Sequence, residues 1–521
     1  MFEEVVLKGL ASDGGLFIPE SIPGLPENWF TAWRDLSYSD LAYEILSLYI
    51  SPSEIPPQDL RELITRSYST FRHPAVTPTR PLHYKEANGD HSAPRTYLLE
   101  LFHGPTFAFK DVALQFLGNL FEYFLLRKNA GKPATSQRHH LTVLGATSGD
   151  TGSAAIYGLR GKQDVSVFIL HPKGRITPIQ QAQMTTVLDK NVHNIAVAGA
   201  FDDCQDIVKS LFSDPEFNKS HNLAAVNSIN WARILAQIPY YFYSYLSICP
   251  RNLTAPDHTA FDPEYIVPTG NFGDILAGYF AKQMGLPISH LGVATNANDI
   301  LDRFVHSGIY EKHSTPDSRV LGSTTNDGDT GGVKETLSPA MDVLISSNFE
   351  RLLWYLAFEA ESDGTRTGAG ATVCHWMKQF KDTGRLQVGQ SALSACRRDF
   401  YSRAVSDAET VETIKAQYQK DGYILDPHTS VGWTTMKHII QTGDWPKQRC
   451  WVTLSTAHPA KFSGAVDLAL GDIEGYSFEG KVRPEEFVGL EQRERRFKVV
   501  DTVDAELVKK VIEEGLVAER V

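Results

Sequence analysis

Hydrophobic periodicity divides the chain into a helical beginning and a longer region in which strands and helices alternate. Apolar positions recur with a helical period in Tyr38–Ile50 and again in Asp59–Thr70. Ser37 or Ser39 would cap the first of these helices, since a serine hydroxyl can accept a hydrogen bond from a free backbone N–H group. The pattern therefore predicts a small, mostly helical N-terminal domain over residues 1–93.

From residue 94 onward, short apolar runs alternate with amphipathic or strongly apolar segments. Runs rich in β-branched residues predict buried strands at Thr96–Leu101, Leu141–Leu144, Val165–Leu170, Val192–Ala198, Leu223–Val226, Tyr265–Val267, His290–Ala294 and Cys450–Leu454. Helical periodicity predicts helices at Lys110–Leu126, Gly152–Leu159, Ile275–Met284 and Ala505–Glu519. This alternation is typical of parallel sheets covered on both faces, so residues 94–521 are predicted to form a doubly wound α/β region. Segment 315–334 has little to bury and is predicted to be a mobile insertion.

Composition and charge narrow the possible partners and the compartment. The chain has 521 residues, of which 42% are hydrophobic, and a net charge of −12. The acidic balance gives no overall attraction to nucleic acid or to an anionic membrane. Glu3 and Glu4 stand where a signal peptide needs positive charge, and no apolar run approaches the roughly 18 residues of a membrane helix. The five cysteines show no CxxC spacing. We expect a cytoplasmic protein without a nucleic-acid, membrane or obligate protein partner.

Two glycine-rich loops, GATSGDTG at 145–152 and TGNFGD at 269–274, each lie between a predicted strand and a predicted helix. Such loops present successive backbone N–H groups at a helix N-terminus, where the helix dipole also favours an anion. Neither loop matches the P-loop pattern or the dinucleotide-binding fingerprint. A single loop of this kind is explained equally well as a tight turn. Two in one α/β region indicate an anion-binding cleft.

Lys110 lies in LFHGPTFAFKD, between two phenylalanines and the start of a strongly apolar helix. Burying a charged amine is costly, so its pKa is expected to fall, which favours nucleophilic and Schiff-base chemistry. The alternative is an outward-facing lysine paired with Asp111. Together with two anion-binding loops, a nucleophilic lysine indicates pyridoxal 5'-phosphate, a cofactor held by one phosphate and one imine bond.

Six blocks in order carry a closer resemblance: ELFHGPTFAFKDVALQF, GATSGDTGSAAIYGLRGK, NSINWARILAQ, PTGNFGDILAGYFAKQMGLP, ATNANDILDRF and STAHPAKF. Together they resemble the threonine synthase family, in its longer, fungal-like branch, over nearly the whole chain. The resemblance implies an α/β fold of the tryptophan-synthase-β-like type (fold type II), with two doubly wound lobes and an N-terminal domain. It also implies the conversion of O-phospho-L-homoserine and water to L-threonine and phosphate.

The resemblance assigns roles to individual residues. Lys110 corresponds to the lysine that carries the cofactor and moves protons. The loop for the cofactor phosphate comprises Gly270, Asn271, Phe272, Gly273 and Asp274. Thr456 would face the pyridine nitrogen, with Ser455 as the alternative. The loop that grips the amino-acid end of the substrate comprises Ser148, Gly149, Asp150 and Thr151. Candidates for the substrate phosphate are Asn230 and Arg233, with Ser228, Lys162 and Arg175 as further possibilities.

Several alternatives stay open at this point. Asn230 and Arg233 would also suit a helix N-terminus with a solvated arginine. A related phospho-lyase or a threonine/serine dehydratase would share the fold, although a dehydratase more typically has a run of glycines at the phosphate site. A catalytically silent member would lack the lysine. We interpret His103, His428 and His458 as structural residues, since no metal-ligand spacing is present, and we predict no metal.

Overall fold

The computed structural model describes residues 2–11, 13–83, 94–133, 136–253, 261–312, 332–443 and 449–519. The predicted mobile insertion at 315–334 lies outside the described residues except for its last three, 332–334, which are exposed and form neither helix nor strand. No helix in these described ranges is both long and apolar enough to cross a membrane.

The helices, in chain order, are α1 (Phe2–Lys8), α2 (Trp29–Trp33), α3 (Tyr38–Ser47), α4 (Pro57–Tyr68), α5 (Lys110–Asn129), α6 (Asp150–Leu159), α7 (Pro178–Thr185), α8 (Phe201–Ser213), α9 (Pro215–His221), α10 (Trp231–Leu235), α11 (Ile238–Ile248), α12 (Gly273–Met284), α13 (Ile300–Ser307), α14 (Phe349–Ala360), α15 (Arg366–Thr383), α16 (Gln390–Asp399), α17 (Asp407–Asp421), α18 (Pro427–Thr442), α19 (Ser463–Leu470), α20 (Phe478–Lys481) and α21 (Ala505–Glu519). The strands are β1 (Thr79–Pro81), β2 (Arg95–Glu100), β3 (Leu141–Ala146), β4 (Val165–Pro172), β5 (Val192–Val197), β6 (Leu223–Ala225), β7 (Glu264–Pro268), β8 (Leu291–Thr295), β9 (Ile309–Glu311), β10 (Arg385–Gln387), β11 (Phe400–Ala404), β12 (Cys450–Ser455) and β13 (Lys498–Val500).

Two sheets organise the α/β region. The larger has six strands in the order β1-β2-β12-β7-β8-β11, and the smaller has five in the order β13-β5-β4-β3-β6. Within these two sheets, every pairing among the described strands is parallel except that of β1 with β2, and β9 and β10 form a separate antiparallel pair. Every residue of β4, β7, β8 and β12 is buried, because helices cover both faces of each sheet. The predicted fold of two doubly wound α/β lobes is confirmed.

The N-terminal helices pack directly on the α/β region. Tyr38 of α3 meets Tyr243 of α11 edge to face, with ring centroids 5.4 Å apart. Asn119 of α5 donates a hydrogen bond of 2.8 Å to the Ser67 hydroxyl of α4. Residues of these helices belong to the same buried hydrophobic cluster as α5 and α11. The helical character of the N-terminal region is therefore confirmed, while its boundary at residue 93 stays a prediction.

Helix α5 follows a strand of the six-stranded sheet but packs against α6 of the other lobe. At the crossing the two backbones touch: a Cβ atom on Gly118 would lie 1.9 Å from the Gly158 carbonyl oxygen, and one on Gly158 would lie 2.4 Å from that of Leu114. Only glycine permits this approach. Since each glycine lies eight positions after the start of its helix, the first residues of α5 and α6, Lys110 and Asp150, meet at one end of the contact.

Candidate active site

The candidate site lies where loops leave the carboxyl ends of parallel strands in the two lobes. Segments 101–109, 147–149, 269–272 and 456–458 follow β2, β3, β7 and β12 respectively. Crevices at the carboxyl ends of such strands are the usual ligand sites of open α/β sheets. The predicted functional loops therefore lie at the edges of the sheets where a ligand would be expected.

The segment before Lys110 is fixed to the loop after β12. The Phe109 amide donates to the Thr456 carbonyl at 2.8 Å, and the His458 amide donates to the Phe107 carbonyl at 3.0 Å. Phe107 takes a left-handed conformation, with φ of 61°. These bonds set the direction in which α5 begins and so the position of the Lys110 amine.

The Lys110 side chain is only 11% exposed, and its Nζ lies 3.8 Å from Asp150 Oδ2 and 4.8 Å from the ring centroid of Phe109. Burial lowers the pKa of this amine to about 8; Asp150 opposes the shift, while Lys461 and Arg233 add to it. The neutral, nucleophilic amine is therefore accessible near neutral pH. The carboxylate closest to the Lys110 amine is that of Asp150, in the other lobe. It is not that of Asp111, with which an outward-facing lysine would have paired.

Asp111 is fully buried and closes its own turn. Its carboxylate accepts hydrogen bonds of 2.7 Å from both the backbone N–H and the hydroxyl of Thr106. Gly104 lies against the same carboxyl, where a Cβ atom would come within 2.4 Å of the Asp111 Cβ. Asp111 therefore shapes the loop before Lys110.

The loop after β3 is built around the Thr147 hydroxyl, which accepts hydrogen bonds from the Gly149 amide at 2.9 Å and the Gly152 amide at 2.8 Å. Gly149 has φ of 136°, and a Cβ atom there would come within 2.5 Å of the Gln180 side chain. Gln180 donates a hydrogen bond of 2.9 Å to Asp150 Oδ1. The position before α6 therefore requires glycine, both for its backbone conformation and for its contact with Gln180.

Sequence reasoning missed Lys461, which the structure places in the site. Its Nζ lies 2.6 Å from Asp150 Oδ1 and donates a 2.9 Å hydrogen bond to the Thr106 carbonyl, and its side chain is completely buried. Burial alone would raise the pKa of Asp150, but Lys461 and Lys110 together lower it, so this carboxyl is ionised. The available signal was a lysine within the block STAHPAKF, close to the predicted Thr456.

The loop after β7 has the properties of a phosphate cradle. Its carbonyls are turned away, since Gly270 accepts from the Ser346 hydroxyl at 2.6 Å and Asn271 accepts from the Asn348 side chain at 3.0 Å. Phe272 takes φ of 58° immediately before α12. Within the described part of the chain, the N–H groups of 270–273 have no protein acceptor. Four amides are thus left for an anion at a helix N-terminus.

Asp274 lies behind this cradle in the first turn of α12. Its Oδ1 accepts hydrogen bonds from the hydroxyls of Tyr240 and, at 3.0 Å, of Tyr241. Its Oδ2 is buried and has no partner among the described residues. Burial raises the pKa of Asp274 to about 7, although both tyrosines act in the opposite direction. This acid is therefore only partly ionised at neutral pH, which suits a site for a phosphate.

The structure distinguishes the two hydroxyl candidates at the end of β12. The Ser455 hydroxyl lies 3.0 Å from that of Thr429 in a fully buried contact. The Thr456 side chain is buried beside Phe109, and its hydroxyl has no hydrogen-bond partner in the described ranges. Thr456 therefore has the hydroxyl available for a ligand.

Asn230 and Arg233 differ in how much of each side chain remains available. Asn230 caps α10, where its Oδ1 accepts from the Ala232 amide at 3.0 Å, and its Nδ2 donates to the Val6 carbonyl at 2.9 Å. Arg233 is 3% exposed, so the solvated-arginine alternative is wrong. One Nη donates to the Val226 carbonyl at 3.0 Å, while Nε has no partner in the described part of the chain. Burial lowers the pKa of Arg233 to about 10.

The remaining phosphate candidates lie in different surroundings. The Ser228 carbonyl accepts a 3.2 Å hydrogen bond from Asn348, beside the cradle. Lys162 lies beyond the far end of α6, where it bonds to Asn119 and pairs with Glu122 at 3.3 Å. Arg175 is exposed. Ser228 therefore lies near the site, whereas Lys162 lies away from it.

The three histidines are held by protein groups. His103 Nε2 lies 2.8 Å from Glu100, His428 Nδ1 lies 2.9 Å from Asp426, and His458 Nδ1 accepts from the Ala460 amide at 3.2 Å. No cluster of three or more histidine, cysteine or acidic residues suited to a metal occurs within the described ranges.

The residues present fit pyridoxal 5'-phosphate. The fit rests on a buried amine with a lowered pKa and on a cradle of four amides that have no acceptor among the described residues and that a Cβ atom on Gly270 would disturb. A Cβ atom on Gly270 would lie 2.9 Å from the Ala340 carbonyl oxygen. These are the groups that an aldehyde and a phosphate require.

Comparison with known proteins agrees with this site. Residues 71–342 match the family model of pyridoxal-phosphate dependent enzymes. The fold and the site together are those of a fold type II pyridoxal-phosphate enzyme. Residues 1–68 match the threonine synthase N terminus, and residues 429–512 match the threonine synthase C-terminal model.

Individual relatives define the family more narrowly. The chain is 55% identical to threonine synthase of Schizosaccharomyces pombe over 100% of this chain and 96% of that protein. It is similar to the solved threonine synthase from yeast, with a TM-score of 0.89 and 52% identity over 99% of this chain and 96% of that one. It is also similar to the solved PLP-bound threonine synthase from Brucella melitensis, with a TM-score of 0.81 and 39% identity over 99% and 96% of the two chains. The chain belongs to the threonine synthase family, and the fungal-like resemblance is confirmed.

Proposed function

We propose that this chain converts O-phospho-L-homoserine and water to L-threonine and phosphate in the cytoplasm, as the last step of threonine biosynthesis. The observation that carries the proposal is the buried Lys110 amine, with its pKa of about 8, which lies 3.8 Å from Asp150 at the start of α6 and acts electrostatically on Asp274 at the start of α12. One N-terminus serves the cofactor phosphate and the other the substrate. Threonine synthases with more than half of their residues identical over the whole length support the same reaction.

We assign the cofactor to four groups of this chain. Lys110 carries it covalently, and the amides of 270–273 bind its phosphate, while Asp274 behind them contributes no full negative charge. The Thr456 hydroxyl faces the ring nitrogen, and Ser455, already bonded to Thr429, does not. When bound, pyridoxal phosphate supplies an electron sink that stabilises negative charge at the substrate Cα.

Lys110 is also the proposed base. Its Nζ takes the Cα proton and, because one lone pair holds one proton, releases it before it takes a second proton from Cβ; an amine with a pKa of about 8 can both take and return a proton near neutral pH. Phosphate leaves from Cγ with one proton as hydrogen phosphate, the proton taken from Cβ is returned to Cγ, and water adds its hydroxide at Cβ and its proton at Cα. Lys110 therefore serves the transfers between the substrate carbons without a second base.

The substrate is held at its two ends. The substrate carboxylate is bound by backbone amides at the start of α6. The Thr147 hydroxyl already accepts from the amides of Gly149 and Gly152, so the amides that serve the carboxylate are those without an acceptor among the described residues, at Ser148, Asp150 and Thr151. Arg233 binds the substrate phosphate with the guanidinium edge that has no protein partner. Asn230 we assign as a positioning residue for Arg233, because both ends of its own side chain are bonded within the protein.

The test measures phosphate release and threonine formation together, in purified full-length protein supplied with O-phospho-L-homoserine. Equal amounts of both products are expected, with none from O-phosphoserine and no 2-oxo acid from serine or threonine. Phosphate without threonine would replace the proposal with a phospho-lyase, and oxo-acid formation would replace it with a dehydratase. Lys110→Ala should lose turnover, whereas Lys282→Ala, which removes a lysine paired with Asp399 at the far end of α12, should keep it.

A further inference from the structure

Two buried lysines from different segments flank one carboxylate. Asp150 of the five-stranded lobe has Lys461 Nζ 2.6 Å from Oδ1 and Lys110 Nζ 3.8 Å from Oδ2. Lys461 follows β12 of the six-stranded lobe, so this ion pair joins the two lobes inside the site. Gln180 donates a further hydrogen bond to the same Oδ1, which leaves Oδ2 facing Lys110.

Lys461 is bonded in a way that excludes it from the chemistry itself. It is completely buried, and its ammonium donates to the Asp150 carboxylate and to the Thr106 carbonyl. The Thr106 carbonyl belongs to the loop that leads into Lys110, and the Gln183 side chain also donates to it at 3.3 Å. Lys461 therefore contacts both the anion beside Lys110 and the segment that positions Lys110.

We propose that Lys461 is a positioning residue for the reaction, which through the Asp150 carboxylate sets the proton affinity of the Lys110 amine. The inference rests on the proposed role of Lys110 as the lysine that carries the cofactor. The physical reason is that Asp150 shares its negative charge between two cations. With Lys461 in place, Asp150 is fixed as an anion but is largely compensated, so it stabilises the charged form of Lys110 only weakly.

The charges around Lys110 come from several packed elements. Those that act on it directly are Asp150, Lys461, Arg233, Asp111 and, behind the phosphate cradle, Asp274. His428 of α18 acts on Asp150 from the other side. Burial is the largest influence and lowers the pKa of Lys110, Asp150 opposes it, and Lys461 supports it. Removing Lys461 or Asp150 should therefore shift the same titration in opposite directions.

The test measures the rate at which full-length apoprotein captures added pyridoxal 5'-phosphate, followed by absorbance over a range of pH. Only the neutral amine attacks the aldehyde, so the midpoint of this profile reports on Lys110. Lys461→Met should move the midpoint to higher pH and slow capture at neutral pH by about three- to tenfold, since one pKa unit changes the neutral fraction tenfold. Asp150→Asn should move the midpoint to lower pH. Lys461→Arg should restore a profile close to that of the unaltered protein.

The matched control is Lys282→Met, which removes a lysine paired with Asp399 at 2.9 Å outside the site and should leave the midpoint unchanged. If Lys461 only fastens the lobes together, Lys461→Met and Asp150→Asn will both weaken folding and neither will move the midpoint, which would overturn the inference. Should Lys461→Met not fold, Lys461→Gln, which removes the charge but keeps a polar side chain, takes its place and should move the midpoint in the same direction. Capture that persists in Lys110→Ala would contradict the proposed cofactor lysine instead, so the two failures are distinguishable.

Discussion

The two glycine-rich loops look alike in sequence, yet the structure uses them in different ways. Each follows a parallel strand and places an aspartate in the first turn of the next helix, Asp150 in α6 and Asp274 in α12. Asp150 lies between two lysines and is held ionised. Among the described residues, the partners of the Asp274 carboxyl are tyrosine hydroxyls, and its pKa is raised to about 7. One loop thus carries a compensated charge, and the other carries an acid that is only partly ionised at neutral pH.

The two loops also differ in how many of their backbone amides are already hydrogen-bonded to protein groups. In the first loop, the Thr147 hydroxyl occupies two amides, whereas the N–H groups of 270–273 have no acceptor in the part of the chain that the structure describes. A dianionic phosphate fits four amides without an acceptor beside an acid that is only partly ionised. A substrate carboxylate beside Lys110 fits the loop whose own charge is already paired. The difference teaches that the surroundings of a glycine-rich loop, and not its glycines, decide its ligand.

The largest effect is expected for Gly149→Ala in the first loop. A side chain there must accept φ of 136° and displace Gln180, which lies 2.5 Å from the new Cβ position. We expect the free energy of unfolding to fall by about 3 kcal/mol, which urea denaturation would measure. Gly174→Ala is the control, because Gly174 has φ of 73° in open space and should lose only about 1 kcal/mol. Equal losses would show that contact with Gln180 does not matter.

Substitutions in the loop after β7 should change the affinity for the ligand more than the stability of the protein. Gly270→Ala brings a Cβ atom to 2.9 Å from the Ala340 carbonyl, so the cradle must shift. We expect affinity for pyridoxal 5'-phosphate to fall about tenfold, close to 1.4 kcal/mol, in equilibrium titration of the apoprotein. Gly273→Ala should lose less, since its new contacts would be no closer than 3.5 Å. Unaltered affinity in both variants would separate this loop from the phosphate.

The two aspartates should show different pH dependence of stability. Asp274 binds its proton more tightly when folded than its ordinary value of 3.8, so its burial costs stability as pH rises from about 4 to about 7. The melting temperature of Asp274→Asn should therefore rise relative to that of the unaltered protein between about pH 4 and about pH 7. Asp150 has a lowered pKa, so its contribution is complete above about pH 4 and is lost only at lower pH. The melting temperature of Asp150→Asn should lie below that of the unaltered protein by the same amount over this pH range. If the two variants differ from the unaltered protein in the same way at every pH, the contrast between the two aspartates is wrong.

The smallest effect is expected for Tyr240→Phe. This change removes one of the two hydroxyls that bond to Asp274 Oδ1 and leaves that of Tyr241. We expect stability to fall by about 1 kcal/mol and the pKa of Asp274 to rise further, since a donor to the charged form is lost. The stability of the double variant Asp274→Asn, Tyr240→Phe is compared with that of Tyr240→Phe alone over a range of pH. The pH range in which the double variant becomes the more stable should move upward, and this shift measures the rise in the pKa of Asp274. A downward shift would mean that Tyr240 accepts a hydrogen bond here and does not donate one.

Much of the fold could be predicted because its strands are fully buried. β4, β7 and β12 appear in the sequence as continuous apolar runs, and the structure extends each prediction by only one or two residues. Five of the described strands were missed: β1, β9, β10, β11 and β13. β11 mixes serine and arginine with aromatic residues, and each of the other four has only three residues, so none carries a periodic signal. Ser37, and not Ser39, caps α3.

The candidate site was predictable where its chemistry follows from one local pattern. Lys110 and both loops came from residue types and spacing, and the structure brings them into one cleft. Lys461 and Gln180 could not be found in this way, because their role depends on contacts with Asp150, which lies far away in sequence. The exposure of Arg233 stayed open for the same reason, because it is the packing of α10 against its neighbours that buries it.

The central claim is that, of the two buried lysines beside Asp150, Lys110 carries the cofactor and Lys461 does not. Borohydride reduction of the loaded full-length protein fixes the bond between lysine and cofactor, and peptide mapping by mass spectrometry then locates the label. The account predicts a single pyridoxyl group on Lys110. A label on Lys461, or none in the presence of bound cofactor, would contradict it.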